Sequence, residues 1–161
     1  MAQRPYGPFS YVKLLLNPPA LAVVVFRFQH WLYSRGWRRS AEALRCLNVM
    51  LFTTDIDSAA VIGEHFVLYH ANGINIGARA RVGHNVHLVH HCTIATGPRP
   101  GEGPADQVVI EDDVVVGCGV RIVGDLTIGV GSFLGAGAVV TASVAPYSFY
   151  LTGPGENPES G

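Results

Sequence analysis

Charge is scarce in this 161-residue chain: Asp, Glu, Lys and Arg make up only 14% of it, against the roughly 25% usual in soluble domains. Eleven Lys+Arg against twelve Asp+Glu leave a formal charge of -1, so no basic surface runs the length of the molecule to neutralise a phosphate backbone. Nucleic acid is excluded as a partner. Three cysteines, Cys46, Cys92 and Cys118, are too few and too scattered for a disulfide framework or a Cys-rich zinc site, and they predict a reducing, cytoplasmic setting. A long apolar run is also missing. The longest, residues 20 to 26, follows Pro18-Pro19 and is interrupted by Arg27 and His30, so neither a bilayer span nor a secretory leader is predicted. With 48% apolar residues and a mean hydropathy of +0.27, the composition predicts one folded domain with a sizeable core.

What charge there is lies unevenly. Residues 1 to 50 carry seven basic side chains and one acidic, Glu42, whereas residues 101 to 161 carry Arg121 alone against eight acids. In the first segment Val24, Phe28, Trp31, Leu32, Leu44, Leu47 and Leu51 recur at spacings of three and four with Gly36 as a break, which predicts two amphipathic helices. Arg38-Arg39 beside the break reads as a solvated helix start.

After Asp55 the texture changes. Aliphatic residues return every sixth position: Ile56, Ile62 and Leu68; then Ile76, Val82, Leu88 and Ile94; then Ile110, Val116, Ile122, Ile128, Leu134 and Val140. Glycine follows at Gly63, Gly77, Gly83, Gly117, Gly129 and Gly135, and small residues stand four beyond at Ala60, Cys92, Ser132 and Ala138. A helix repeats near 3.6 and a strand near 2, so neither produces a sustained six. The period fits a parallel β-helix with three hexads per coil, each aliphatic pointing inward and glycine permitting a tight corner. Thirteen hexads give a little over four coils. The chain thus divides into a helical region at 1–54, a β-helix at 55–145 and a tail at 146–161.

A solenoid accepts insertions only at its corners, so breaks in the period mark a working face. One adds two residues between Leu68 and Ile76, around His70-Ala71-Asn72-Gly73. The other adds ten between Ile94 and Ile110, a Pro/Gly-rich loop at 97–107.

Arg27, His30-Trp31-Leu32, Gly36 and Asp55-Ile56, then His70-Ala71-x-Gly73-Ile74-x-Ile76-Gly77, resemble the serine acetyltransferases of the hexapeptide-repeat acyltransferase superfamily. The resemblance runs from about residue 20 to 144, through residues 86 to 93, Val116-Gly117-x-Gly119 and Leu134-Gly135-Ala136-Gly137. It implies a mainly β fold, a left-handed parallel β-helix behind a short α-helical region, although the common crossover is right-handed. It further implies a homotrimer, with acyl-CoA sites in the grooves between subunits. The roughly fifty residues before the first coil favour a trimer over a pair of trimers.

The family's catalytic histidine falls on His70 and its aspartate on Asp55, fifteen residues earlier. A neutral imidazole takes the proton of an acceptor hydroxyl, a carboxylate on its other nitrogen steadies the cation, and the oxygen attacks the thioester of acetyl-CoA. Without a covalent relay, donor and acceptor must be held together. Thr96, Gly97, Cys118 and Ala136 match positions lining the pantetheine path; Cys118 stands where the family usually has alanine, which gives it a steric role. No basic residue follows Arg121. The 3′-phosphate of CoA would then meet Arg79, Arg81, Arg99 or Arg121, or the donor would be an acyl carrier protein, which lacks that phosphate.

The acceptor side departs from the family. Its serine-recognising Asp is Tyr69 here, and its Arg-His pair is Asp106-Gln107. An Arg holds a carboxylate through a bidentate fork that Asp and Gln cannot imitate. Tyr69, His90, His91, Asp106 and Gln107 therefore predict an acceptor hydroxyl less charged than free L-serine, on a sugar, a natural-product intermediate or a carrier-tethered group.

Two other readings are weaker. His65, His70, His84, His87, His90 and His91 invite a zinc site of the carbonic-anhydrase type, but the order of the spacings is wrong for it, so no metal is expected; His84 and His87 read as solvent-facing coil residues. A non-catalytic trimeric scaffold would not need both His70 and Asp55.

Overall fold

The computed structural model describes residues 17–96 and 107–151. Helix α1 (Pro18–Ser34) starts at Asn17, whose side chain accepts from the Ala20 N–H, with prolines in the first two helical positions where no N–H is required. It stops before Gly36, and α2 (Arg38–Phe52) follows, its first residues Arg38 and Arg39 exposed as the sequence predicts.

Of the apolar residues that mark the helical period, Leu32 is buried and Leu44 half-buried, but the rest are not. Val24, Phe28, Trp31, Leu47 and Leu51 are exposed, while α1 buries Ala22, Phe26, Gln29 and Leu32 and α2 buries Ala41 and Asn48. Close approach is the reason: alanines let the backbones come together, and the buried amides are recruited to backbone oxygens. Asn48 Nδ2 donates to the Ala22 carbonyl at 3.1 Å. Gln29 Nε2 donates to the Ile56 carbonyl at 2.8 Å and to Ser58 Oγ at 2.9 Å.

From Thr54 onward the described chain winds into three parallel sheets. The first contains β1 (Thr54–Ile56), β4 (Ile74–Ile76), β7 (Thr93–Ala95), β10 (Arg121–Val123) and β13 (Val139–Val140). The second contains β2 (Val61–Ile62), β5 (Ala80–Val82), β8 (Val108–Ile110) and β11 (Leu126–Ile128). The third contains β3 (Val67–Leu68), β6 (His87–Leu88), β9 (Val115–Val116), β12 (Phe133–Leu134) and β14 (Phe149–Tyr150). Consecutive strands go to different sheets and every third strand pairs, which is a three-sided β-helix.

All thirteen periodic aliphatics point inward, at 7% exposure or less. Between them lies a second inward set that is not uniformly small: Ala60, Cys92, Ser132 and Ala138 are joined by Phe66, Val86, Val114, Val120 and Leu126. Corners pack tightly where glycine follows the aliphatic; a Cβ on Gly63 would lie 2.5 Å from the Gly83 carbonyl oxygen of the next coil. Stacking continues past residue 145, since Val144 bridges to Ile128 and β14 pairs with β12, so the first residues of the expected tail still belong to the coil stack.

Coils join by N–H groups that donate to carbonyls of the following coil, as Asp57 does to Ile76 and Gly63 to Val82. The first coil has no predecessor to fill its own equivalent carbonyls, those of Ile56 and Ile62. Helix α1 fills them with side chains: Gln29 takes Ile56, while the Arg27 guanidinium takes Ile62 and Gly63. His30 Nδ1 donates to the Ser58 carbonyl at 2.9 Å in the same way.

Candidate active site

The two-residue insertion forms the corner between β3 and β4. Tyr69 and His70 are exposed there, Ala71 is buried, and Thr54 Oγ1 donates to the Ala71 carbonyl from inside the coil. Gly73 closes the corner with φ +68°, a left-handed conformation suited to glycine, and a Cβ there would lie 2.2 Å from His91 Nδ1. His91 therefore rests on a position that tolerates no side chain.

The same corner repeats on each coil, and backbone hydrogen bonds lock the repeats into a column. His91 N–H donates to the Asn72 carbonyl at 2.9 Å, Gly119 N–H to His90 at 2.9 Å, and Gly137 N–H to Cys118 at 2.7 Å. His70, His90 and His91, Cys118 and Ala136 thus share one edge of the prism, on successive coils. The His70 and His90 rings meet edge-on with centroids 5.5 Å apart, and His90 meets His91 at 5.2 Å. His90 Nδ1 is buried and has no hydrogen-bond partner among the described residues.

Other predicted residues stand elsewhere. Thr96 follows β7 and Gln107 precedes β8, on the next corner round the coil; the Gln107 N–H donates to Asp125 Oδ1 at 3.1 Å. Gly97, Arg99 and Asp106 lie outside the described residues.

Asp55 sits on the outer side of β1 with a partner the sequence did not reveal. Arg45, from α2, donates through Nε to Asp55 Oδ1 at 2.6 Å, through Nη2 to Asp55 Oδ2 at 3.1 Å, and through Nη1 to Asp57 Oδ2 at 3.0 Å. Hydrogen bonding to Asp55, reinforced by the charges of Asp55, Asp57 and Glu42 and opposed by partial burial, raises the guanidinium pKa above its ordinary value. Both carboxylate oxygens of Asp55 are occupied by this fork, and no hydrogen bond joins Asp55 to His70. The steering contact expected from the sequence is absent from this arrangement, and a bidentate, charge-assisted partner on the adjoining helix holds the carboxylate. An ionised carboxylate keeps lone pairs beyond the two that Arg45 uses, so the grip on Asp55 does not exhaust its capacity to accept.

His84 is exposed and His87 half-buried, and both also take part in inter-coil contacts. His84 Nδ1 accepts from the Glu64 N–H at 3.1 Å, and His87 bonds to both Tyr69 and Asn85. Among the described residues, no three His, Cys, Asp or Glu side chains gather into a metal-binding group, and no helix is long and apolar enough to cross a membrane.

Cys92 lies inside the coil, with Sγ donating to the Gly117 carbonyl at 3.1 Å and to the Val89 carbonyl at 3.2 Å. Burial pushes its thiol up to about 11. The thiolate is the reactive form, so Cys92 stays protonated and inert at pH 8 and becomes reactive only as pH approaches that value. Iodoacetamide at pH 8 is expected to label exposed Cys46 and spare Cys92, as read by peptide mass spectrometry; equal labelling of the two would contradict the burial.

The serine acetyltransferase of Mycobacterium tuberculosis is 34% identical to this chain over 152 residues, covering 94% of the chain and 66% of that protein. The Bacillus subtilis serine acetyltransferase is 30% identical over 148 residues, covering 91% of the chain and 67% of that protein. The chain belongs to the serine acetyltransferase family. No family model matches it. Among solved members of the family, soybean serine acetyltransferase complexed with serine superposes with a TM-score of 0.82 at 34% identity, covering 94% of this chain and 63% of that one. The Brucella abortus enzyme in complex with coenzyme A gives 0.76 at 32% identity, covering 82% and 52%. The family likeness extends to the left-handed parallel β-helix and its two leading helices. This family member spans between about half and two thirds of the length of the curated relatives it matches.

Proposed function

We propose that this chain is an O-acetyltransferase that moves an acetyl group from acetyl-CoA to a hydroxyl in a ternary complex, with His70 as general base. The observation that supports it is the corner column: an exposed imidazole stands on the same prism edge as Cys118 and Ala136, the residues matched to the pantetheine path. In the reaction the His70 ring takes the acceptor O–H proton while the oxygen bonds to the thioester carbonyl carbon. The tetrahedral intermediate then collapses, the C–S bond breaks, and the imidazolium returns its proton to the departing thiolate. Asp55, held by Arg45, is assigned the role of the carboxylate that steadies the imidazolium. Thr96 and Gly97 serve the donor; Tyr69, His90, His91, Asp106 and Gln107 serve the acceptor.

The proposal includes a cytoplasmic homotrimer with its sites between subunits. Exposed Val61, Val139, Phe133 and Phe149 give each of the three sheets an apolar outer side chain for a neighbouring subunit to cover.

The test is CoA release from acetyl-CoA by the full chain, followed with a thiol reagent across hydroxyl acceptors. Release is expected to depend on the acceptor and to be faster with neutral diols or amino alcohols than with L-serine, whose carboxylate has no Arg to meet it at 106–107. Release no faster than thioester hydrolysis with every acceptor would end this reading.

A further inference from the structure

Tyr69 stands at one end of a hydrogen-bond chain whose directions are dictated from the other end. Asn85 Nδ2 donates to Asp113 Oδ1 at 2.7 Å. An ionised carboxylate only accepts, so this bond fixes which way the Asn85 amide faces and turns its Oδ1 toward His87. His87 Nε2 lies 3.2 Å from that oxygen and must be the protonated nitrogen of the neutral ring. Nδ1 is then a lone pair, and the Tyr69 hydroxyl, 3.2 Å away, donates to it. The two rings pack with centroids 5.7 Å apart.

The chain is built into the coil stack. His87 sits above Val67 in the third sheet, Tyr69 N–H donates to the Leu88 carbonyl, and the backbones of Asn85 and Asp113 are tied to Glu64 and His84. Tyr69 has one hydroxyl proton and has committed it. Tyr69 is 54% exposed and precedes His70 in the chain, so what its hydroxyl offers to solvent at this corner is oxygen lone pairs only.

We propose that Tyr69 is a specificity-determining residue for the acceptor, selecting hydroxyl compounds that carry a second hydrogen-bond donor, an ammonium or another hydroxyl, next to the reacting oxygen. This rests on the reading of His70 as the base. His87, Asn85 and Asp113 are positioning residues that act through Tyr69. A donor group completes the Tyr69 oxygen; a methyl leaves it unpaired, and an ether or carboxylate brings lone pair against lone pair. At a half-exposed site the discrimination amounts to about tenfold.

Three acceptors of matched length test it: ethanolamine, ethylene glycol and 1-propanol. The wild-type chain is expected to show kcat/KM about tenfold higher for the first two. Tyr69→Phe is expected to bring the ratio near one. His87→Leu should lower it, whereas His87→Gln, whose amide can accept from Tyr69 and donate to Asn85, should keep most of it. A purely structural role would change all acceptors alike and leave the ratio unmoved. A wild-type ratio near one, or a ratio unchanged in Tyr69→Phe, overturns the proposal.

Imidazole 15N NMR at pH 8, where a free imidazole is neutral, provides an arm independent of turnover. It should find the His87 proton on Nε2, and the His87 nitrogens should shift on titration with ethanolamine but not with 1-propanol. A proton on Nδ1, or equal or absent shifts with both compounds, overturns the inference. Selective shifts in a chain that acetylates nothing would end the catalytic reading of His70 and leave that of Tyr69 standing.

Discussion

Replacing His70 with Ala is expected to lower acceptor-dependent CoA release by about 10²–10⁴-fold, the range typical of a lost general base. The side chain is exposed at its corner and, among the described residues, makes only a ring contact to His90. Its removal should therefore leave the melting temperature almost unchanged while the rate falls. His90, assigned to the acceptor rather than to proton transfer, is the comparison. Its Nδ1 is buried, and it touches both His70 and His91, so a His90→Ala variant perturbs the same cluster without removing the proposed base and should lose much less activity. Asp55→Asn keeps an acceptor oxygen for Arg45 but removes the charge that favours the imidazolium, and should fall between the two. Steady-state kcat for the three variants, with thermal denaturation alongside, orders them; an unchanged kcat in His70→Ala would take that residue out of its role.

The largest stability effect is expected from the stack. Ile122, in β10, is fully buried with Ile94 of β7 on one side and Val140 of β13 on the other, all in register. Truncation to Ala removes apolar surface and leaves a cavity between coils whose backbones are fixed to each other, so collapse around it is restricted. The cost should be about 2–5 kcal/mol. In a solenoid each repeat is held mainly by its neighbours, so this loss weakens two coil interfaces at once. Urea unfolding followed by far-UV circular dichroism checks it, and a loss under about 1 kcal/mol would mean the interior relaxes more freely than such a stack allows.

The six-residue period carried the coil almost completely, because in a β-helix the inward position is set locally at every turn and each aliphatic declares itself. The helices were read differently. Their apolar residues do recur at helical spacing, but beside Phe26 and Leu32 the buried positions are Ala22, Ala41, Gln29 and Asn48. Those residues are chosen for backbone approach and for amides that reach carbonyls, which a search for apolar periodicity passes over.

The site divides in the same way. Tyr69 and His70 were legible because they lie in a break of the period. The Arg45 fork was not, since nothing near Arg45 in the sequence ties it to a carboxylate ten residues later. The chain from Tyr69 to Asp113 was hidden by the long insertion: Asn85 and Asp113 meet although 28 residues apart, too far for the hexad spacing alone to align them.

The side chains of α1 that occupy the carbonyls of the first coil also govern how molecules meet end to end. A parallel sheet left open at that rim would be a template on which a second chain could dock strand to strand. Arg27 and Gln29 use up acceptors such a newcomer would need, and α1 stands where its backbone would lie, so that end of the solenoid is closed to growth by polymerisation.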